Sequence, residues 1–414
     1  MKFSILTFGC RANQADSFRL EEELLARGHV AASPDTAELV LVNTCAVTGT
    51  AERQARSTIR RLARQNPAVR VVATGCYATR DASTLAALPN VIAARPNREK
   101  AALIEAIAPA DHAIPATACA GPVPGARGRT IYPLLAQVGC NRRCSYCIVP
   151  ATRGPSASRP LQALVRDAGR LCRAGYREIV LTGVHLGAWG RDLDPPRTLA
   201  ALLSALERLS NGLTVRLSSI EPMDCSAGVI EILAGADGRF APHLHLPLQH
   251  ASDRLLRAMR RPYTFEEYGR LVEQIRARLP HAAIGTDLIA GFPGETEADV
   301  ELTERALADL PLAYAHVFAY SDRPGTEAAQ LEPKVPGVQI RERVRRLAER
   351  ARGVKRRFEA QQVGAIRPAL TLGNGTVALT DNYIKVSIPP GLRRNERIRV
   401  RLTAAEPLQA EVIP

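Results

Sequence analysis

Six of the nine cysteines fall into two sets of three, and thiolates are the characteristic ligands of iron–sulfur clusters and of zinc. The second set is compact: Cys140-Asn-Arg-Arg-Cys144-Ser-Tyr-Cys147, spaced by three and then two residues. Thiolates this close can wrap one metal cluster, but three of them cannot close it. A cubane iron–sulfur cluster normally takes four cysteines, so one iron stays open to a small molecule. The first set, Cys10, Cys45 and Cys76, is dispersed, each cysteine standing at the end of a short β-rich run. Tyr146, just before the last cysteine of the compact set, offers an aromatic face to a flat ligand. A zinc site on the same three thiolates would need a fourth ligand, for which His185 and His250 are available.

The elements that must position these residues are readable from pattern. Residues 1 to 112 alternate strand and helix, with β-rich runs at Phe3–Phe8, Leu39–Asn43 and Val69–Gly75. Helical spacing over Asp16–Ala26 and Thr50–Gln65 separates them and implies a small parallel sheet covered by helices. In such a sheet the carboxyl ends of the strands share one edge, so Cys10, Cys45 and Cys76 converge. Residues 113–128, rich in Ala, Pro and Gly, read as a linker, with Cys119 an incidental thiol.

From Arg129 to Tyr320 the alternation resumes. Candidate strands are Tyr132–Val138, Glu178–Thr182, Thr214–Ser218, His243–Leu248, Ile284–Ile289 and Ala315–Ala319, separated by helices such as Leu161–Arg173, Leu199–Leu209 and Phe265–Leu279. Six β/α repeats predict a partial barrel with functional loops at the carboxyl ends of its strands. A strongly basic helix, Gln339–Gln362, closes this segment at 129–362, and 363–414 reads as a small β-barrel broken by Gly373-Asn374-Gly375 and Pro389-Pro390-Gly391. The fold class is therefore α/β with a β appendage. Cys172 and Cys225 read as buried, inert thiols.

Composition bounds the partners. The chain of 414 residues has 55 Lys+Arg against 41 Asp+Glu, a net charge of +14, with the excess concentrated in its last part. That sign points to a polyanion, nucleic acid first. No stretch is long and uncharged enough to span a bilayer, and Met1-Lys2-Phe3 leads straight into a strand, so no cleavable targeting peptide is expected. Clustered cysteines in odd number suit metal binding in a reducing cytoplasm better than a disulfide framework.

Cys-x3-Cys-x2-Cys after the first strand of a six-repeat β/α barrel resembles the radical S-adenosylmethionine (SAM) superfamily. Thr182–Gly187, Ser218–Pro222, His245–His250 and Asp287–Thr296 follow in the order of that family's strand-end motifs. The resemblance implies that SAM chelates the open iron through its methionyl amino and carboxylate groups and is cleaved to a 5′-deoxyadenosyl radical. It also implies cofactor contacts from Tyr146, Gly183, His185, Ser219, Glu221 and Gln249.

The first set narrows the family. Gly9-Cys10-Arg11-Ala12-Asn13-Gln14, Asn43-Thr44-Cys45-Ala46-Val47-Thr48 and Thr74-Gly75-Cys76 resemble the first domain of the methylthiotransferases. That likeness implies a second, auxiliary cubane cluster on Cys10, Cys45 and Cys76, holding the sulfur to be transferred. Two SAM molecules would serve, one as methyl donor and one as radical source, with a flavodoxin- or ferredoxin-type protein supplying electrons. The carboxyl-terminal segment resembles a TRAM domain, implying contacts to RNA phosphates from Lys385, Arg393, Arg394 and Arg397.

Within the family the motifs look most like the MtaB type, which modifies C2 of N6-threonylcarbamoyladenosine beside the tRNA anticodon. The isopentenyladenosine-specific branch usually has Arg at the place of Thr48, and the branch acting on a ribosomal-protein aspartate usually has Pro-Lys-Asn after its first cysteine. Outside the enzyme class, the alternative is a zinc-stabilised RNA-binding protein.

Overall fold

A computed structural model describes residues 1–107, 123–124, 129–209, 212–235 and 238–413. The linker predicted over 113–128, with Cys119, lies almost wholly outside these residues. The chain forms two compact units: Met1–Pro122 with Gln137–Ala157 and Ser321–Ala329, and Val123–Ala136 with Ser158–Tyr320 and Gln330–Pro414. Both cysteine sets fall in the first unit, because the loop carrying Cys140, Cys144 and Cys147 groups with the amino-terminal sheet.

That sheet has five parallel strands: β1 (Lys2–Thr7), β2 (Val30–Ala31), β3 (Leu39–Thr44), β4 (Arg70–Gly75) and β5 (Val91–Arg95), in the order β2-β1-β3-β4-β5. Every residue of central β3 is buried, as expected of a parallel strand covered on both faces. Its alternation feeds two cores. Val40 and Val42 pack with Ala55, Ile59 and Leu62 of the helix Gly49–Gln65, whereas Leu39 and Leu41 pack with Leu20 and Leu24 of the helix Arg11–Ala26. Thr48 caps the first of these helices by accepting from the Ala51 amide.

Among the described residues the β/α alternation gives six barrel strands, which belong to the second unit apart from Gln137 and Val138 at the end of the first of them. Among them β6 (Tyr132–Val138), β8 (Glu178–Gly183) and β9 (Thr214–Leu217) share a sheet with the short β7 (Ala157–Ser158). β10 (His243–His245), β11 (Ala283–Ala290) and β12 (Tyr314–Ala319) form the continuation, with a parallel bridge at Ser219 and His245 relating β9 to β10. The strand predicted over His243–Leu248 stops at His245, and Gln249 beyond it takes a φ of 72°. Capping boxes at Thr264/Glu267 and Thr296/Asp299 start two of the barrel helices.

The basic helix Gly337–Gln361 leads into β13 (Ile366–Leu372), β14 (Val377–Thr380), β15 (Lys385–Ser387), β16 (Arg397–Ala405) and β17 (Leu408–Ile413). These antiparallel strands make a near-barrel in the order β15-β14-β13-β16-β17, around Ala378, Ile384, Val386, Val400 and Leu402. Fully buried Arg216 on β9 joins it to the β/α core. Its guanidinium donates to Glu178 at 2.7 Å and to the carbonyls of Asp381 at 2.9 Å and Thr380 at 3.3 Å.

Candidate metal centre

The ends of β1, β3 and β4 are level, since Thr7 pairs with Asn43 and Thr44 with Gly75. The turns after them therefore share one sheet edge. Cys10 is exposed there, and Cys45 and Cys76 are buried. Gly9, at φ +90°, brings Cys10 beside Cys45: a Cβ on Gly9 would sit 2.6 Å from the Cys45 Sγ. Burial pushes the Cys45 thiol up to about 12, and repulsion from Cys10 and Cys76 adds to this, while the Val47 amide at 3.5 Å from its sulfur opposes it. A bound metal ion reverses this balance by stabilising the thiolate directly.

Around these thiols lies a buried polar frame. Asn13 Nδ2 donates to the carbonyls of Phe8 at 2.7 Å and Thr44 at 2.9 Å, fixing the first two cysteine turns to each other. Asp16 accepts from Lys100 Nζ at 2.8 Å and from Arg153 at 2.9 Å, and Arg153 also donates to Asn13. Burial works against the Asp16 charge, but the two cations outweigh it and hold its carboxyl below the usual range. Burial likewise disfavours the Arg153 charge, and Asp16, Cys76 and Cys10 more than restore it.

Asn97 Nδ2 lies 3.5 Å from the Cys76 Sγ and donates to Thr152 O at 2.9 Å. Three buried polar atoms here, Thr74 Oγ1, Asn97 Oδ1 and Arg153 Nε, have no hydrogen-bond partner among the described residues. Three sulfur donors, an adjacent guanidinium and unsatisfied polar atoms suit an anionic iron–sulfur cluster.

The second set lies in a braced loop of the same unit. The Cys140 amide donates to Gly154 O at 3.1 Å, the Cys147 amide to Cys144 O at 3.1 Å, and the Ala328 amide to Ser145 O at 2.8 Å. Asn141 Oδ1 accepts from the Ser156 amide at 2.9 Å, and the Arg142 amide approaches the Cys140 Sγ at 3.4 Å. All three cysteines and Tyr146 are half-buried, within reach of a bound group. The residues fit the three-thiolate cluster that their spacing implies. From this loop the helix Val149–Arg153 runs directly to Arg153, so one short segment links the second cysteine set to the frame of the first.

The other cofactor contacts implied by the sequence lie in the second unit. Gly183 ends β8, and His185 Nε2 meets Asp224 at 2.6 Å, with Arg191 on the other carboxylate oxygen. Ser219 is exposed, Glu221 is paired with Arg261, and Gln249 is buried, its backbone N–H donating to Asp287 O at 2.8 Å. Thr182 Oγ1 and Ser218 Oγ are buried at the same strand ends without a hydrogen-bond partner among the described residues. They offer polar contacts at strand-end positions that no side-chain pattern in the motifs marks. Of the basic residues on the near-barrel, Lys385, Arg393, Arg397, Arg399 and Arg401 are exposed. Arg394 binds Gly373 O, and exposed Arg397 also binds Arg177 O at 3.1 Å and Thr214 Oγ1 at 2.9 Å. Cys225 is buried, with its thiol pushed up to about 12, but Cys172, expected to be buried, is only half so.

Comparison with known proteins gives the family. Residues 134–307 match the Radical SAM superfamily, and residues 2–94 match a group described as Uncharacterized protein family UPF0004. The threonylcarbamoyladenosine tRNA methylthiotransferase MtaB of Aquifex aeolicus (strain VF5) is 34% identical over 93% of this chain and 96% of its own length. The chain belongs to the radical SAM methylthiotransferase family. Another relative of this methylthiotransferase is the tRNA-2-methylthio-N(6)-dimethylallyladenosine synthase of Cereibacter sphaeroides (strain ATCC 17029 / ATH 2.4.9). It is 33% identical over 98% of the chain and 97% of its own length. In fold alone, the methylthiotransferase resembles the radical SAM methyltransferase TsrM from Kitasatospora setae, with a TM-score of 0.55 at 17% identity over 76% of this chain and 72% of that one. Membership implies an iron–sulfur cluster and SAM as cofactors.

Proposed function

We propose that this enzyme installs a methylthio group at C2 of N6-threonylcarbamoyladenosine in tRNA. The observation that supports it most is the grouping of both cysteine sets in one compact unit, linked through Arg153, Asn97 and Thr152. Sulfur insertion into an unactivated C–H position needs a sulfur carrier and a radical source together, and two three-cysteine sets supply two such sites. In this reading Cys10, Cys45 and Cys76 hold an auxiliary cubane, and Cys140, Cys144 and Cys147 hold the one that binds SAM. When bound, the two clusters supply the transferable sulfur and the electron that cleaves SAM, and a second SAM gives the methyl group.

The chain's own residues do the rest. Arg153 sets a permanent positive charge beside Cys10 and Cys76, which suits an anionic cluster there. Asn97 donates toward the Cys76 sulfur. Tyr146, Gly183, His185, Ser219, Glu221 and Gln249 contact SAM, with Asp224 fixing the His185 ring. Lys385 and Arg393 meet RNA phosphates from a TRAM-type barrel, with Arg394 and Arg397 bracing that surface. Residues 1–112, 129–362 and 363–414 act as sulfur-carrying, SAM-cleaving and RNA-binding segments in the cytoplasm. Electrons come from a flavodoxin- or ferredoxin-type donor.

The substrate choice rests on the likeness to MtaB proteins and on Thr48, which serves as a helix cap where the isopentenyladenosine branch usually has Arg. The dimethylallyladenosine synthases are about as similar, so the two substrates are set against each other. Anaerobic protein, SAM, sulfide and reductant are incubated with tRNA carrying either modification, and the nucleosides are resolved by mass spectrometry. The methylthio product of threonylcarbamoyladenosine is expected. Product from dimethylallyladenosine alone, or none, would overturn the assignment.

A further inference from the structure

Three side chains on neighbouring strands β10, β11 and β12 converge without any part in the reading above. They are His245, Asp287 and His316, each offering a ligand atom, and these atoms all lie within 4.8 Å of one another. The register explains the convergence. His245 pairs with Gly285, Gly285 with Tyr314, and Asp287 with His316, so all three project from adjacent rungs of one sheet. We propose that His245 Nε2, the Asp287 carboxylate and the His316 imidazole form a divalent-cation site of the zinc or iron(II) class, built from none of the cysteines.

Two nitrogens and one carboxylate oxygen on one face suit a first-row ion and leave coordination positions for water or another oxygen ligand. Ligand atoms about 2.1 Å from one ion stand roughly 3–3.5 Å apart. His245 Nε2 and Asp287 Oδ1 are already at that spacing, 3.1 Å. His316, on an exposed rung, closes the set by rotation of its side chain.

The second nitrogen of His245 is held as ligating histidines usually are. Nδ1 lies 3.1 Å from the Tyr314 hydroxyl, which lies 2.8 Å from His243 Nε2. Tyr314 crosses to His245 because residue 285 is glycine, a Cβ on which would fall within the Tyr314 ring. With Nδ1 engaged by the Tyr314 hydroxyl, Nε2 is the ring nitrogen left to face the Asp287 carboxylate. A cation bound between them takes the place of a proton shared across that 3.1 Å contact.

The test uses the full chain with its clusters loaded. Protein is exposed anaerobically to excess zinc sulfate and desalted, and zinc and iron are counted by mass spectrometry. The expected result is about one zinc per chain beyond the cluster metals. This zinc should be lost in His316→Gln and in Asp287→Asn, retained in His316→Glu, and unaffected by His281→Gln at an exposed position outside the set. Iron content and circular dichroism should be the same throughout, which separates loss of a ligand from loss of the fold. Zinc retained equally by the wild type and both ligand variants, or no zinc retained by the wild type, would overturn the site.

Discussion

Asp16→Asn should weaken the amino-terminal unit by several kilocalories per mole. The Asp16 side chain is 10% exposed, and its partners Lys100 and Arg153 are 8% and 5% exposed. Removing one member of a buried charge group typically costs about 3–5 kcal/mol, because the remaining charges stay out of water without their counterion. Here Lys100 keeps the Asn43 Oδ1 at 3.2 Å and Arg153 keeps Asn13, so the lower end, about 3 kcal/mol, is expected. With a urea dependence of about 2 kcal/mol per molar, the midpoint falls by roughly 1.5 M. Hydrogen exchange of peptides from Arg11–Ala26 and β3 across a urea series reads this unit directly. The sign with pH is also determined. The Asp16 carboxyl lies lower when folded than its unfolded value of about 3.9, so its contribution is present above that pH and lost as pH falls through the folded value. Asp16→Asn should therefore flatten the acid loss of protection in these peptides. A midpoint moved by less than about 0.3 M would refute the reasoning, since it would show that the carboxylate does not hold the two cations.

Other variants probe the second unit and its surface. Arg216→Met strands buried Glu178 and frees the Thr380 and Asp381 carbonyls, and should cost about 3–5 kcal/mol by urea unfolding followed through buried Trp189. Adding Glu178→Gln should recover part of that loss. Gly285→Ala drives a methyl group into the Tyr314 ring and should cost about 1–3 kcal/mol in thermal unfolding, whereas an alanine at Gly353, where a Cβ meets nothing within 4 Å, makes no such clash. Lys385→Ala with Arg393→Ala should weaken tRNA binding whatever the base sequence, and should reduce the slope of log affinity against log salt by about 1–2. An unchanged slope would place RNA elsewhere.

The parallel sheet was legible because Leu-Val-Leu-Val at 39–42 and Val-Val-Ala at 71–73 are continuous apolar runs that suit strands buried on both faces. The start of the first helix was not. Periodicity predicts Asp16, yet the helix begins at Arg11, directly after Cys10, whose side chain makes no capping hydrogen bond. Val30–Ala31 and Val91–Arg95 do not stand out in the sequence either, one being only two residues long and the other a five-residue strand with Ile92 and Arg95 exposed and no residue fully buried. In the site, the cysteines announced themselves by strand position and spacing. Their polar frame did not, because Asp16 meets Lys100 across 84 residues and Arg153 across 137, and no local pattern encodes such a meeting. His245, Asp287 and His316 are legible only once the register of three strands is known.

The most direct measurement of the central claim is iron counted on anaerobically reconstituted protein, for the wild type and for two triple variants. Two cubanes predict about eight irons per chain, and about four after changing either Cys10, Cys45 and Cys76 or Cys140, Cys144 and Cys147 to alanine. Wild-type protein that stops at about four, or a triple variant that still reaches about eight, would contradict it.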